Sequence, residues 1–449
     1  MRGMRLTILG GGGFRVPLVH QALLDDRRPG RVTDVVLHDV DAARLAAIAR
    51  VLAEQAEAVG DPPRVTLTTD LDEAIRGADF VFSAIRVGGL AGRAADERIA
   101  LDEGVLGQET VGAGGVAYGL RTLPVAIRVA RRVAALAPEA WVINFTNPAG
   151  MVTEAMAAHL GDRVIGICDT PVGLGRRVAR ALGLDPAAVR LDYAGLNHLG
   201  WLRGVRAGGV DHLPRLLADP ETLGSFEEGK LFGTDWLRTL GAVPNEYLHH
   251  YYYTREAVAA GRASAQTRGA FLLEQQERFY AAAGTGAGSA LAAWDGARLE
   301  RERTYGAESR ATAGAGLRDS RDLDGGGYEQ VALALMRAIA HDERATLILN
   351  VRNGATLGLL DADAVVEVPC AVDGRGAHPF AADPLPEHAA GLVCGVKAVE
   401  RAAIEAAVTG SRAAALKAIA LHPLVDSVTV AQRLLEAYTR HHPALAYLT

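Results

Sequence analysis

Residues 142–169 read VINFTNPAGMVTEAMAAHLGDRVIGICD, and the reading of this stretch decides the fold. Two apolar runs of strand length, Trp141–Phe145 and Val164–Cys168, flank a stretch of helical composition, Gly150–His159. Such a unit predicts two parallel strands of one sheet joined by a right-handed crossover. Both runs end in chemically capable side chains: Asn144 and Asn147 at the first, Cys168 and Asp169 at the second. In a helix-covered parallel sheet the carboxyl ends of the strands open onto the ligand crevice, so the clustering marks a candidate site. A further pair, Asn197-His198, follows another apolar run.

Upstream the alternation repeats. Leu6–Leu9, Val35–His38, Val65–Thr68 and Phe80–Ile85 are predicted strands, and Pro17–Leu24, Ala42–Val59 and Leu123–Leu136 predicted helices. This predicts an α/β fold whose first part, residues 1–198, is a doubly wound (Rossmann) parallel sheet. Between Val87 and Gly119 glycines break the pattern, which predicts a loop laid over the crevice. Downstream, Arg255–Tyr280, Tyr328–His341, Ala398–Ala415 and Asp426–Tyr438 are predicted helices; Leu347–Leu349 and Val365–Val368 are predicted strands of a smaller mixed sheet. Residues 199–449 are therefore expected to form a C-terminal α+β domain for substrate, metal and subunit association. Ala281–Ala293 and Gly325–Gly327 are breaker-rich and expected as loops.

Bulk properties exclude several function classes. A chain of 449 residues with 49% hydrophobic content is long enough for two domains with real cores. A net charge of -6 gives no sign of a nucleic-acid partner. The apolar run Leu6–Leu9 is too short for a signal peptide, and no run has membrane-helix length, so no membrane association is expected. Three cysteines far apart, Cys168, Cys370 and Cys394, argue against a disulfide framework and for the cytoplasm.

Gly10-Gly11-Gly12-Gly13 follows the first predicted strand and precedes the first predicted helix, so the backbone can approach a pyrophosphate without an intervening Cβ. Arg15 takes the place of the third fingerprint glycine. Asp39, at the end of the second strand, is placed to accept ribose hydroxyls and favours NAD over its phosphorylated relative. Gly10, Gly12, Gly13, Phe14, Arg15 and Asp39 are thus the candidate cofactor residues. At the other predicted strand ends Cys168, His198 and Asn147 suggest a bound cation. Cys and His suit zinc, whereas carboxamide and sugar oxygens suit a harder divalent ion, which leaves the metal open.

Nine motifs then fall in one order: GGGGFRVP near the start, Ile85–Gly89 (IRVGG), Gly107–Thr110 (GQET), NFTNPAG, GICDTP, GLNHLGW, Pro244–Tyr253 (PNEYLHHYYY), Asn350–Pro369 and His422–Leu424 (HPL). In this order the chain resembles the family 4 glycoside hydrolases over nearly its whole length, and 6-phospho-β-glucosidases most. The resemblance implies a lactate/malate dehydrogenase-like fold and dependence on NAD and a divalent metal, Mn2+ or another. It implies a redox route in place of the usual two-carboxylate mechanism: oxidation of the sugar at C3, loss of the C2 proton, departure of the aglycone, water addition and re-reduction. Residue by residue, it implies Cys168 and His198 as metal ligands and Tyr247 as the base, with Tyr251 in reserve. Asp169 becomes the acid for the leaving oxygen. Arg86 and Arg268 are assigned to the substrate phosphate, Asn147 and Asn197 to the sugar, and Glu109 to orienting the base or a water. The implied substrate is a phosphorylated β-glucoside such as cellobiose 6-phosphate, and the implied assembly a homodimer or homotetramer. The alternatives are a 6-phospho-α-glucosidase, favoured by Asp169, and a 2-hydroxy-acid dehydrogenase, which needs a His/Asp relay and paired arginines but no metal cysteine. A catalytically silent NAD-binding regulator is disfavoured by the intact Cys168, His198 and Tyr247.

Overall fold

Alternate residues of the short apolar strands serve opposite faces of the sheet. Phe80, Phe82, Ile143 and Ile165 enter one buried core, whereas Val81, Val142 and Val164 enter a second on the other side. Strands buried on both faces in this way read as continuous apolar runs, as a helix-covered parallel sheet requires. The computed structural model describes residues 3–286, 288–322 and 327–449.

Thirteen strands among the described residues form one sheet. In chain order they are β1 (Met4–Leu9), β2 (Val32–His38), β3 (Arg64–Thr68), β4 (Phe80–Ser83), β5 (Trp141–Asn144) and β6 (Val164–Gly166), then β7 (Arg190–Leu196), β8 (Leu199–Ala207), β9 (Val210–Asp211), β10 (Val243–Pro244), β11 (Ala345–Arg352), β12 (Val365–Asp373) and β13 (Gly376–Pro379). The first six are parallel in the order β3-β2-β1-β4-β5-β6, the strand order of a dinucleotide-binding fold. The expected doubly wound sheet is therefore present. Its topological switch point lies between β1 and β4, where the loop after β1 and the loop after β4 diverge.

Beyond β6 the same sheet continues as β11-β12-β7-β8-β10, all antiparallel. Each of the two seams is a single pair, Gly166 with Asn350 and Glu367 with Gly195. The expectation of a separate smaller sheet is corrected: β11 and β12 extend the first one. Asn197-His198 forms the turn of the β7–β8 hairpin.

The Val87–Gly119 segment is a loop only at residues 103–111, where Gly107, Gln108 and Glu109 line the crevice; the rest folds as helix Gly89–Asp102 and the first two turns of helix Gly112–Leu136. Its glycines permit close packing: a Cβ on Gly114 would meet the Gln108 carbonyl at 2.3 Å, and one on Gly115 the Thr110 carbonyl carbon at 2.5 Å. Ala281–Thr285 ends helix Arg268–Thr285 and Ala290 opens helix Ala290–Arg303, so the tract expected as a loop is mostly helical. Gly325 and Gly326 lie outside the described residues, and Gly327 precedes helix Tyr328–His341. The predicted helix Ala398–Ala415 is split at Gly410 into Glu387–Thr409 and Arg412–Ala420. These last helices, with Val428–His441, return to pack against Gly112–Leu136 and complete the second core. No helix among the described residues is long and apolar enough to cross a membrane.

Ile8 lies on the central strand and is fully buried. Ile8→Ala is expected to cost about 2–5 kcal/mol of stability, read from urea unfolding, because the strand cannot collapse into the void.

Candidate active site

A single large cavity of about 1250 Å³ opens at the carboxyl ends of the parallel strands. Gly10, Gly12, Gly13, Phe14, Arg15, Asp39, Arg86, Glu109, Asn147, Cys168, Asp169, His198, Tyr247 and Arg268 all line it. Two candidates do not. Asn197 turns its carboxamide to Glu367, 3.1 Å away, and Tyr251 packs with Leu106, Val111 and Leu424. Asn197 thus has one amide N–H committed to Glu367. Of the two tyrosines, Tyr247 faces the cavity.

At one end the glycine turn forms a cradle. Gly10 has φ 80°, and a Cβ there would sit 2.5 Å from the Ala84 carbonyl. A Cβ on Gly12 would meet Asp39 Oδ2 at 3.0 Å, and the Gly12 N–H donates to that same oxygen at 3.1 Å. The second half of the chain holds the loop's carbonyls: Tyr280 donates to Gly12, Trp294 to Phe14 and Tyr328 to Arg15. Helix Val16–Asp25 starts immediately after; Val16 and Leu18 donate to the Gly13 and Arg15 carbonyls and Pro17 has no N–H, so the helix offers the cradle the positive end of its dipole. This end fits a dinucleotide.

At the other end Cys168 and His198 are both buried at the cavity wall. His198 has a left-handed backbone, φ 62°, a conformation that costs a non-glycine residue free energy and is retained at functional turns. Thr110 Oγ1 lies 2.9 Å from His198 Nδ1 and 3.2 Å from Gln108 Oε1, which fixes the ring plane of His198. With Nδ1 so engaged, Nε2 is the nitrogen available to a metal. Burial, then the charges of Glu367 and Asp169, push the Cys168 thiol well up. Burial, then Glu109 and Glu246, likewise push Tyr247 up, and its ring stacks on His198 at 3.8 Å. A thiol and a phenol whose ionised forms lack compensation mark a place that a cation would stabilise. Among the described residues no three His, Cys, Asp or Glu side chains converge as a closed metal set. Cys168 and His198 would thus supply two ligands and leave positions for substrate oxygens and water.

Charged side chains divide the remaining wall. Glu109 accepts from Arg93 at 2.6 Å and pairs with Arg86, so Arg86 brings its own counter-ion. Arg15 lies 3.5 Å from Asp169 and over the rings of Phe145 and Tyr328. Arg268 instead donates to Thr304 and to the Arg301 carbonyl, both neutral. Burial, then Arg93, lowers Arg268 to about 10; burial, then Arg15, lowers Arg301 to about 9. Arg301 Nε is buried without a hydrogen-bond partner among the described residues. Asn147 Oδ1 is another buried orphan on this wall.

Sequence reasoning missed Arg301, Tyr305 and Glu246. Tyr305 donates to Glu246 at 2.6 Å and lies 3.4 Å from the Tyr247 hydroxyl. Arg301 and Tyr305 sit in ERERTYG, which reads as a solvated charged helix face; Glu246 lies inside the PNEYL motif beside the residue that drew notice.

A nucleotide cradle and a cation-seeking wall within one cavity define a cofactor-assisted enzyme of the α/β class. The family 4 glycosyl hydrolase profile matches residues 5–184, and that of the family's C-terminal domain residues 193–425. The chain belongs to the family 4 glycosyl hydrolases. It is 32% identical to a probable 6-phospho-beta-glucosidase of Bacillus subtilis, covering 99% of this chain and 97% of that one. It is 30% identical to the 6-phospho-alpha-glucosidase of Leptotrichia buccalis, over 97% of each. The solved 6-phospho-beta glucosidase of Thermotoga maritima with manganese, NAD+ and glucose-6-phosphate superposes with a TM-score of 0.82 at 26% identity, covering 98% of each chain.

Three imidazoles other than His198 are held neutral mainly by burial: His249 at about 4, His250 and His422 at about 3. In the unfolded chain each takes up a proton below its ordinary 6.5, so the unfolded state binds more protons and stability falls with pH from there to below 4. The thermal midpoint should therefore drop steadily between pH 7 and pH 4 in a calorimetric series.

Proposed function

We propose that this glycoside hydrolase is a 6-phospho-β-glucosidase acting on phosphorylated β-glucosides such as cellobiose 6-phosphate, with NAD+ and a divalent cation, Mn2+ among them. The observation that carries the reading is the junction, in one cavity, of the glycine cradle, the Cys168/His198/Tyr247 set and two arginines without counter-ions. The relative at 32% identity is named for the β-linked substrate, which supports the anomer chosen. Asp169 at the wall and the α-directed relative favour the 6-phospho-α-glucosidase as the second reading.

When bound, NAD+ supplies a hydride acceptor for C3 and the cation a Lewis acid for the O2 and O3 oxygens. The chain's own residues do the rest. Gly10–Gly13 and the start of helix Val16–Asp25 seat the pyrophosphate, and Asp39 takes the ribose hydroxyls. Cys168 Sγ and His198 Nε2 hold the cation, whose charge lowers Tyr247 from its raised value so that its oxygen accepts the C2 proton. Asp169, kept near Arg15, stands at the leaving oxygen. Arg268 and Arg301 receive the 6-phosphate dianion, which relieves their mutual repulsion. Residues 1–198 carry the nucleotide and 199–449 most of the phosphate wall. Cys168, Cys370 and Cys394 are all free thiols, in keeping with a cytoplasmic setting, and assembly as a homodimer or homotetramer belongs to the same reading.

Hydrolysis of 4-nitrophenyl β- and α-glucoside 6-phosphates, with NAD+ and Mn2+ added or withheld, tests the function. Turnover of the β-anomer only with both additions is expected, together with solvent deuterium at C2 of the product; absence of exchange rules out the elimination route. Arg301→Gln is expected to raise KM about tenfold or more with little change in kcat, since it removes a charge-assisted contact made equally before and during reaction.

A further inference from the structure

Cys168 follows β6 and His198 sits in the β7–β8 turn, and a chain of hydrogen bonds runs from the Cys168 sulfur to the residue before His198. Thr170 Oγ1 lies 3.2 Å from Cys168 Sγ. Asn245 Nδ2 donates to Thr170 Oγ1 at 2.8 Å and to the Tyr193 hydroxyl at 3.3 Å. Tyr193 donates to Glu367 Oε2 at 3.0 Å. Glu367 Oε1 accepts from Asn350 at 2.9 Å and from Asn197, the residue before His198, at 3.1 Å. Asn245 Oδ1 accepts the Tyr247 N–H at 3.1 Å, which fixes its amide orientation. Thr170 Oγ1, accepting from Asn245, shares one further hydrogen bond with the Cys168 sulfur.

Glu367 is 1% exposed and forms no ion pair among the described residues. A buried carboxylate without a counter-charge is costly compared with an apolar side chain of similar size, and persists where several donors must converge on one acceptor. Here those donors lead to the two proposed cation ligands and to the backbone of the proposed base. The strained turn at His198 needs such an anchor, because nothing in its own φ of 62° favours it.

We infer that Glu367 is the positioning residue of the cation pair: through Asn197 on one side and Tyr193, Asn245 and Thr170 on the other, it sets the separation of His198 Nε2 from Cys168 Sγ. This rests on the reading of Cys168 and His198 as ligands.

Mn2+ titrations followed by the spin-resonance signal of the free ion, with NAD+ affinity measured in parallel, test it. Glu367→Gln replaces an acceptor by an amide that would face three donors. It should weaken Mn2+ binding about tenfold or more, the usual effect of removing a ligand's hydrogen-bond support, while NAD+ affinity stays unchanged. Tyr193→Phe deletes one oxygen and cuts only the arm toward Thr170; a smaller loss in the same direction is expected, and this variant carries the test if Glu367→Gln does not fold. Wild-type Mn2+ affinity in either folded variant overturns the inference, as does an equal loss of Mn2+ and NAD+ affinity. Cys168→Ser, titrated alongside, separates the two ideas. If it retains Mn2+, the ligand reading itself falls; if it loses Mn2+ and Glu367→Gln does not, only the role of Glu367 falls.

Discussion

A single row of cross-strand partners governs this molecule. Leu9, Ser83, Asn144, Gly166, Asn350, Glu367, Gly195 and Gly200 follow one another across eight strands, from the parallel half of the sheet into the antiparallel half. Gly10, Arg86, Asn147, Cys168 and His198 each lie within three residues of it along the chain. At the seams the row hangs on one pair each, and there the residue types are constrained: a Cβ on Gly166 would meet Thr153 Oγ1 at 2.5 Å and Asn350 Cβ at 2.8 Å. A one-residue slip would turn Asn350 and Glu367 to the opposite face and leave the Asn197-His198 turn without its anchor.

The parallel half could be read from the sequence because each of its strands is a closed problem: a short apolar run, a helix of matching length, a polar residue at the exit. Residues 142–169 announce two strands and the reactive ends of both. The glycine stretch after Val87 misled because glycine signals either a turn or a close approach, and composition does not say which. Here it is the close approach of helix Gly112–Leu136 to the Gln108–Thr110 backbone that requires it. The continuation of the sheet was out of reach for a different reason. β11 and β12 stand some two hundred residues from β6 in sequence, and each seam is one pair, too little to leave a pattern in either strand. Glu367 did leave a signal, a lone acid inside the apolar strand VVEVPC, which an ordinary core would exclude.

The cavity wall is divided by charge in a way that neither ligand alone can satisfy. Around Arg268 and Arg301 burial and like charge depress the cations, so that region is stabilised by an incoming anion. Around Cys168 and Tyr247 burial and nearby carboxylates raise the acids, so that region is stabilised by an incoming cation. Arg86 and Arg93, paired with Glu109 and Glu97, form a neutralised stretch of the wall. A phosphorylated sugar whose ring oxygens meet a divalent ion offers both charges at fixed separation. An unphosphorylated glycoside would leave the arginines unrelieved, and a phosphate without the cation would leave the thiol and phenol protonated. In the proposed reading the two halves of the wall select jointly, the arginines for the phosphate and the thiol and phenol for the cation.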